Sequence, residues 1–134
     1  MAGYSGTPLI KKLGIKPGAK VALDGAPKGF TLDALPEGAT LSRSLRGKTP
    51  LDVVLLFATT ERDLGARVSE AKARIAKTGG VWVCWPKKAS GMKTDLSDGV
   101  VREIGLGAGL VDNKVCAIDD TWSGLRFVWR LADR

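Results

Sequence analysis

Leu51-Asp52-Val53-Val54-Leu55-Leu56-Phe57-Ala58 is the stretch that decides the fold. Its branched and aliphatic side chains run on without the polar alternation of a half-solvated strand. A strand covered on both faces needs such a run, which points to the centre of a parallel sheet. Directly after it, Thr60 and Asp63 resemble a helix-capping pair, and Leu64, Val68, Ala71 and Ile75 fall on one helical stripe. Lys77-Thr78-Gly79-Gly80 then closes the helix. A second buried strand is expected over 81–85, and a helix over 96–108 with Leu96, Val100 and Ile104 on one face.

Towards the N-terminus the pattern repeats with weaker elements. Thr7 as N-cap, Pro8 at the first helical position and Gly14 as stop frame a short helix through Leu9 and Leu13. A first strand is predicted over 20–23, running into Asp24-Gly25-Ala26-Pro27. One or two helical turns are expected over 30–35, then a weak strand over 40–43. At the other end, 114–118 and 125–131 read as an antiparallel hairpin joined by a polar connection, 119–124. Strands and helices alternate, so the class is α/β: a Rossmann-like three-layer sandwich with a mostly parallel sheet, in one domain spanning 1–134.

Composition narrows the function classes. The chain has 134 residues, no histidine, two cysteines and a formal charge of +7. Without imidazole there is no side chain whose ordinary pKa suits proton transfer near neutrality, and no Ser-His or Cys-His nucleophile. Hydrolase chemistry is therefore disfavoured. Cys84 and Cys116 lie in apolar runs and read as enclosed thiols, with a redox role as the alternative. Two thiols alone do not close a zinc site. No apolar run reaches the ~20 residues of a membrane span, and the first residues lack a secretory pattern, so a cytoplasmic location is expected. The positive charge favours an anionic small molecule, nucleic acid or an acidic protein as partner, against the plainer reading of a solvated basic surface.

Candidate site residues gather at two strand-to-helix junctions, where open α/β sheets place ligands. After the strand over 81–85 come Lys87, Lys88, Ser90, Gly91, Lys93 and Thr94, ahead of a helix capped by Thr94 or Asp95. Lysines, hydroxyls and a helix N-terminus together form an anion-binding corner on one reading, and an ordinary solvated connection on the other. P-loop spacing is absent. After the first strand, Asp24 and Gly25 offer either a ligand contact or only a tight turn. Trp122 with Arg126 would cover one side, and Trp82, Trp85 and Trp129 could complete an aromatic wall. Gly105-Leu106-Gly107-Ala108-Gly109 resembles a dinucleotide fingerprint as text, but it leaves a helix instead of opening one, so it reads as a frayed helix end.

Several segments resemble, in order and over nearly the whole length, a family of small bacterial proteins sharing a domain of unknown function. They are Tyr4-Ser5-Gly6-Thr7-Pro8-Leu9, the run from Lys11 to Gly18, Gly25-Ala26-Pro27, Trp85-Pro86-Lys87-Lys88 and the run from Asp119 to Arg126. That family implies no activity. The element succession is also similar, more loosely, to the core of adenosylmethionine-dependent methyltransferases. This resemblance implies a six-stranded sheet in the order 2-1-3-4-6-5, with the last strand antiparallel between its two predecessors. The chain departs from it in lacking a glycine triplet after the first strand and an acidic residue ending the second, where Arg43 stands. It is also one strand-helix unit short.

The leading expectation is a non-catalytic module that binds an anionic ligand or partner at the C-terminal edge of the sheet, with no cofactor. A diminished methyltransferase-like enzyme using Asp24 or Asp52, with Tyr4 or Cys84, is the alternative. A structural protein that meets another chain is the third.

Overall fold

The computed structural model describes residues 8–134. Helix α1 (Leu9–Leu13) leads into strands β1 (Lys20–Asp24), β2 (Thr40–Ser42) and β3 (Leu51–Phe57). Helix α2 (Glu61–Arg74), strand β4 (Ile75–Pro86), helix α3 (Asp98–Gly107) and strands β5 (Leu110–Ala117) and β6 (Trp122–Trp129) complete the chain. The sheet runs β2-β1-β3-β4-β6-β5, with β6 antiparallel to both its neighbours and the other pairings parallel. The expected order is observed.

β3 lies inside this sheet, and its residues divide between two cores by alternation. Val54 and Leu56 pack with Leu64, Val68, Ala71 and Val101 beneath α2 and α3. Val53, Leu55 and Phe57 pack on the opposite face with Leu13, Ile15 and Leu32. Burying each Val or Leu contributes about 1.5–3 kcal/mol, so an uninterrupted apolar strand is what a two-sided core selects. The two layers outside the sheet are unequal. One holds both long helices; among the described residues the other holds α1 and the irregular segment 25–39.

That segment contains the main correction to the predicted elements. Residues 30–35 form no helix. Six residues between Gly29 and Pro36 are too few to nucleate a helix, and a proline disfavours helical backbone in the residue before it. The apolar side chains act as a lid instead: Leu32 is buried, and Phe30 meets Phe57 edge-on at 4.9 Å between ring centroids.

Other elements shift in ways that local chemistry explains. α2 begins as expected, with Thr60 Oγ1 accepting the Asp63 N–H at 3.1 Å, but it ends at Arg74. Ile75 already belongs to β4, and the two glycines expected to stop the helix lie in an irregular stretch of that strand. There, Leu51 pairs with Ile75 while Val53 pairs with Gly80. A Cβ on Gly79 would lie 2.8 Å from the Leu51 carbonyl oxygen, so only glycine fits this crowding. α3 is capped by Ser97, not by Thr94 or Asp95. Thr7, the expected cap of α1, lies outside the described residues; Pro8 occupies the cap position and Gly14 closes the helix at φ 76°. The closing hairpin is longer than predicted, and Trp122, Ser123 and Gly124 are strand residues. Among the described residues no helix is long and apolar enough to cross a membrane.

Candidate functional site

The C-terminal ends of β1, β3, β4 and β5 share one edge of the sheet, and the predicted corner lies there in the connection from β4 to α3. Its hydroxyls are already engaged. Ser90 Oγ donates to the Lys87 carbonyl at 2.7 Å, and Gly91 in the left-handed region (φ 76°) ends the single turn Lys88–Ser90. Thr94 Oγ1 donates to the Thr59 carbonyl at 2.6 Å and accepts the Leu96 N–H. Asp95 Oδ1 accepts the Glu61 N–H at 2.8 Å, so it caps α2 across the sheet edge, not α3. Lys88 and Lys93 are exposed, while Lys87 alone among these lysines borders a cavity. The loop residues thus shape the loop and tie it to α2.

The junction after β1 is filled from within. Arg67 reaches over from α2, donating to the carbonyls of Phe57 at 2.8 Å and Asp24 at 3.0 Å. The same guanidinium pairs with Asp24 at 3.2 Å and Asp63 at 2.7 Å. Burial works to lower its pKa, but the hydrogen bonds and charges of Asp24 and Asp63 outweigh that and hold it above the ordinary arginine value. Gly25 turns at φ 72°, and a Cβ there would meet Arg67 Nη2 at 2.5 Å. Gly25 therefore makes room for Arg67. Arg67 escaped the sequence reading because Asp24 lies 43 residues away from it; the available hint was an arginine beside the buried stripe at Val68.

The tryptophans do not form one wall. Trp82 and Trp122 belong to the core beneath α1, Trp85 to the core beneath α2 and α3, and Trp129 packs against that second core. Trp122 is 7% exposed and edge-on to Phe57 at 5.1 Å. Arg126 lies across from Trp82 on β4 and does not meet Trp122; burial, then the charge of Arg134, lowers its pKa. Tyr4 lies outside the described residues, and Asp52 accepts the Lys20 N–H at 2.8 Å. Among the described residues no cluster of His, Cys, Asp and Glu could hold a metal ion.

Neither thiol is poised as a nucleophile. Burial, then the nearby Cys116 and Asp119, raises Cys84 well above the ordinary thiol value; burial also raises the half-buried Cys116, although Lys12 opposes it. Because the folded pKa of Cys84 is the higher one, its contribution to stability is complete below the ordinary thiol value of about 8.5 and is lost as pH rises past it. Urea unfolding followed from pH 7 to 10 should show stability falling above that point. Cys84→Ala should remove most of the decline, and Ellman's reagent should reach Cys84 only in denaturant.

The cavity bordered by Lys87 is a cleft of about 970 Å³ at this same edge. Its walls are α1, the segment 29–34 and the turn from β5 to β6. Leu9, Ile15, Phe30, Leu32 and Ile118 line it with apolar surface. Lys11, Lys12 and Lys87 supply cations, and Asp33, Asp119 and Asp120 supply carboxylates. Asp119 Oδ1 already accepts the Thr121 and Trp122 N–H groups at 2.8 Å each, and Asp33 Oδ1 accepts from Thr31 Oγ1 at 3.5 Å. The lysines make no hydrogen bond through their side chains among the described residues. An apolar body with an acidic group suits this lining.

Residues 46–131 match the model of a family described as a protein of unknown function (DUF3052). No curated protein matches the sequence. Among solved structures, a SAM-dependent methyltransferase from Aquifex aeolicus superposes with a TM-score of 0.64 at 17% identity, over 89% of this chain and 86% of that one. The Methanococcus jannaschii fibrillarin pre-rRNA processing protein gives 0.64 at 12% identity, over 86% and 68%. Magnesium protoporphyrin IX methyltransferase from Synechocystis, with bound SAH, gives 0.53 at 12% identity, over 72% of this chain. Against that last protein the chain spans little more than half the length, 54%. At these identities the likeness is one of fold.

Proposed function

The chain belongs to the DUF3052 family, and from the geometry of this member we propose that it is a non-catalytic module binding a small amphipathic molecule with an acidic group. The observation that carries this reading is the cleft between α1, the 29–34 lid and the β5–β6 turn. Its apolar lining and its lysines would hold an apolar body and a carboxylate, phosphate or sulfonate. The candidate catalytic groups support a binding role: Asp24 is paired with Arg67, and Cys84 is enclosed as a thiol.

The methyltransferase-like fold raises adenosylmethionine as a ligand, and this chain's residues do not fit it. The crevice where strand order reverses, between β1 and β3, is taken by the Arg67 guanidinium. The position following β2 carries Arg43, whose Nη2 donates to the Phe30 carbonyl at 2.8 Å, where a ribose-binding carboxylate would be needed. No step through that cofactor follows from this structure.

Anilinonaphthalene sulfonate, an apolar ring system with one sulfonate, serves as the test probe. Isothermal titration of the folded protein should show one site, and Lys12→Glu/Lys87→Glu should weaken it at least tenfold. Adenosylmethionine at millimolar concentration should leave the melting temperature unchanged, since a ligand bound only by the native state would raise it. Equal probe binding by the double variant, or a melting shift with adenosylmethionine, would overturn the reading.

A further inference from the structure

The opposite edge of the sheet, where the parallel strands begin, carries a second group of cations. We infer that this N-terminal edge is a docking surface for the phosphate backbone of nucleic acid. The inference rests on residues outside the cleft.

The centre of the surface is Trp129, at the end of β6. Lys77 Nζ lies 3.6 Å and Lys72 Nζ 4.7 Å from its ring centroid, so one indole gathers two ammonium groups. Among the described residues neither pairs with a carboxylate: Lys72 donates to the Ala108 carbonyl and Lys77 to the Asp133 carbonyl, both at 2.9 Å. Two like charges drawn to one ring repel each other, and an anion above them relieves that repulsion. Arg134 Nε donates to the Trp129 carbonyl at 2.9 Å, and its charge reaches Arg126. A Cβ on Gly109 would lie 2.8 Å from Lys72 Nζ and 3.9 Å from Arg130 Nη2, so both cations border this glycine.

The positive surface continues under the neighbouring strands. Arg74, at the end of α2, donates to the carbonyls of Leu45 and Thr49, the latter at 2.9 Å. It thereby fixes the loop that presents exposed Arg46 and Lys48. Of the carboxylates nearby, Asp133 accepts from Arg130 at 2.9 Å and Asp52 from the Lys20 N–H. Glu70, one turn earlier on α2, is exposed and offsets part of the charge.

The spread of the charge favours nucleic acid over an acidic protein. Lys72, Lys77, Arg130 and Arg134, with exposed Arg46 and Lys48, form a broad field of cations across four strands, roughly 15 Å at the usual strand spacing. Such a field complements the densest regular polyanion, with binding that falls steeply with salt.

Fluorescence anisotropy with a labelled 20-nucleotide single-stranded RNA, and with DNA of the same sequence, tests this across 50–200 mM salt. The wild type should bind at least one of the two. Lys72→Gln/Lys77→Gln/Arg134→Gln should weaken binding at least tenfold and lower the salt slope by about 2, some 0.7 per lost charge. Lys28→Gln/Lys88→Gln/Lys93→Gln removes equal charge from the other edge and should change affinity less than threefold. If the first variant fails to fold, Lys77→Gln and Arg134→Gln singly should each weaken binding twofold or more. No binding to either strand at 50 mM salt would overturn the inference. So would equal losses in the two triple variants, or displacement by polyglutamate as effective as by unlabelled RNA.

Discussion

Trp82→Ala should cost about 3–5 kcal/mol of unfolding free energy, the range for emptying a buried aromatic site. Trp82 is 1% exposed, packs with Leu13, Val21, Leu55 and Cys84, and is the largest fully buried side chain of the described residues. It also has a polar task. Its Nε1 donates to the Leu13 carbonyl at 3.2 Å, tying the end of α1 to the middle of β4. Alanine would leave a cavity and an unsatisfied carbonyl. Trp82→Phe should separate the two losses, costing only about 1–2 kcal/mol, because a ring remains while the hydrogen bond goes. Urea unfolding read by far-ultraviolet circular dichroism gives both numbers. A cost below 1 kcal/mol for Trp82→Ala would contradict the packing described. Domains commonly hold only 5–15 kcal/mol in total, so this variant should be close to the limit of foldability at 37 °C.

Two glycines in α3 should respond in opposite senses to the same change. Gly107→Ala adds a methyl group with nothing within 4 Å and gains helix propensity, so it should stabilise by up to about 1 kcal/mol. Gly105→Ala gains the same propensity but drives its Cβ to 2.0 Å from Phe127 Cε1 and 2.3 Å from Cζ. Phe127 is fully buried on β6 and has no free space to move into. Overpacking of this kind costs about 1–3 kcal/mol or more, enough to reverse the sign. Thermal unfolding of both variants side by side checks the pair. Gly105→Ala/Phe127→Leu should recover part of the loss.

The sheet was legible because its signal is burial itself. β3 and the second half of β4 are apolar on both faces, and their shortness and β-branched content separate them from a buried helix. Strand order came from resemblance, and the pairings bear it out. The segment 30–35 was misread since Phe30, Leu32 and Leu35 supply apolar spacing without the length for a helix. Strand parity did contain a warning about the aromatic wall. Trp82 and Trp85 are three residues apart on one strand, and Trp122 and Trp129 seven apart on another, so each pair must face opposite cores.

The lysine loop shows a use of polar groups that a sequence does not display. Lysines and hydroxyls beside a helix start read as ligand groups, yet the hydroxyls are also what a long connection needs to bond backbone. Ser90 bonds the loop itself, while Thr94 and Asp95 bond the backbone of Thr59 and Glu61 and tie the loop to the start of α2. Gly105 was taken for a sign of fraying, when its absent side chain is what lets α3 approach the sheet. Distant pairings such as Asp24 with Arg67 leave no mark in a single sequence.

The five-residue helix α1 forms one wall of the cleft, and a helix that short has no stability of its own in water. Its order is borrowed from the core below it, through buried Leu13 and the Trp82 indole that donates to the Leu13 carbonyl. Amide exchange should therefore show Lys11 and Lys12 opening ahead of the central strands, as a unit that breathes while the rest of the protein stays intact. A molecule lodged against that wall would be slowed in leaving by the same unit, so its residence time would be set by the helix clasping and letting go.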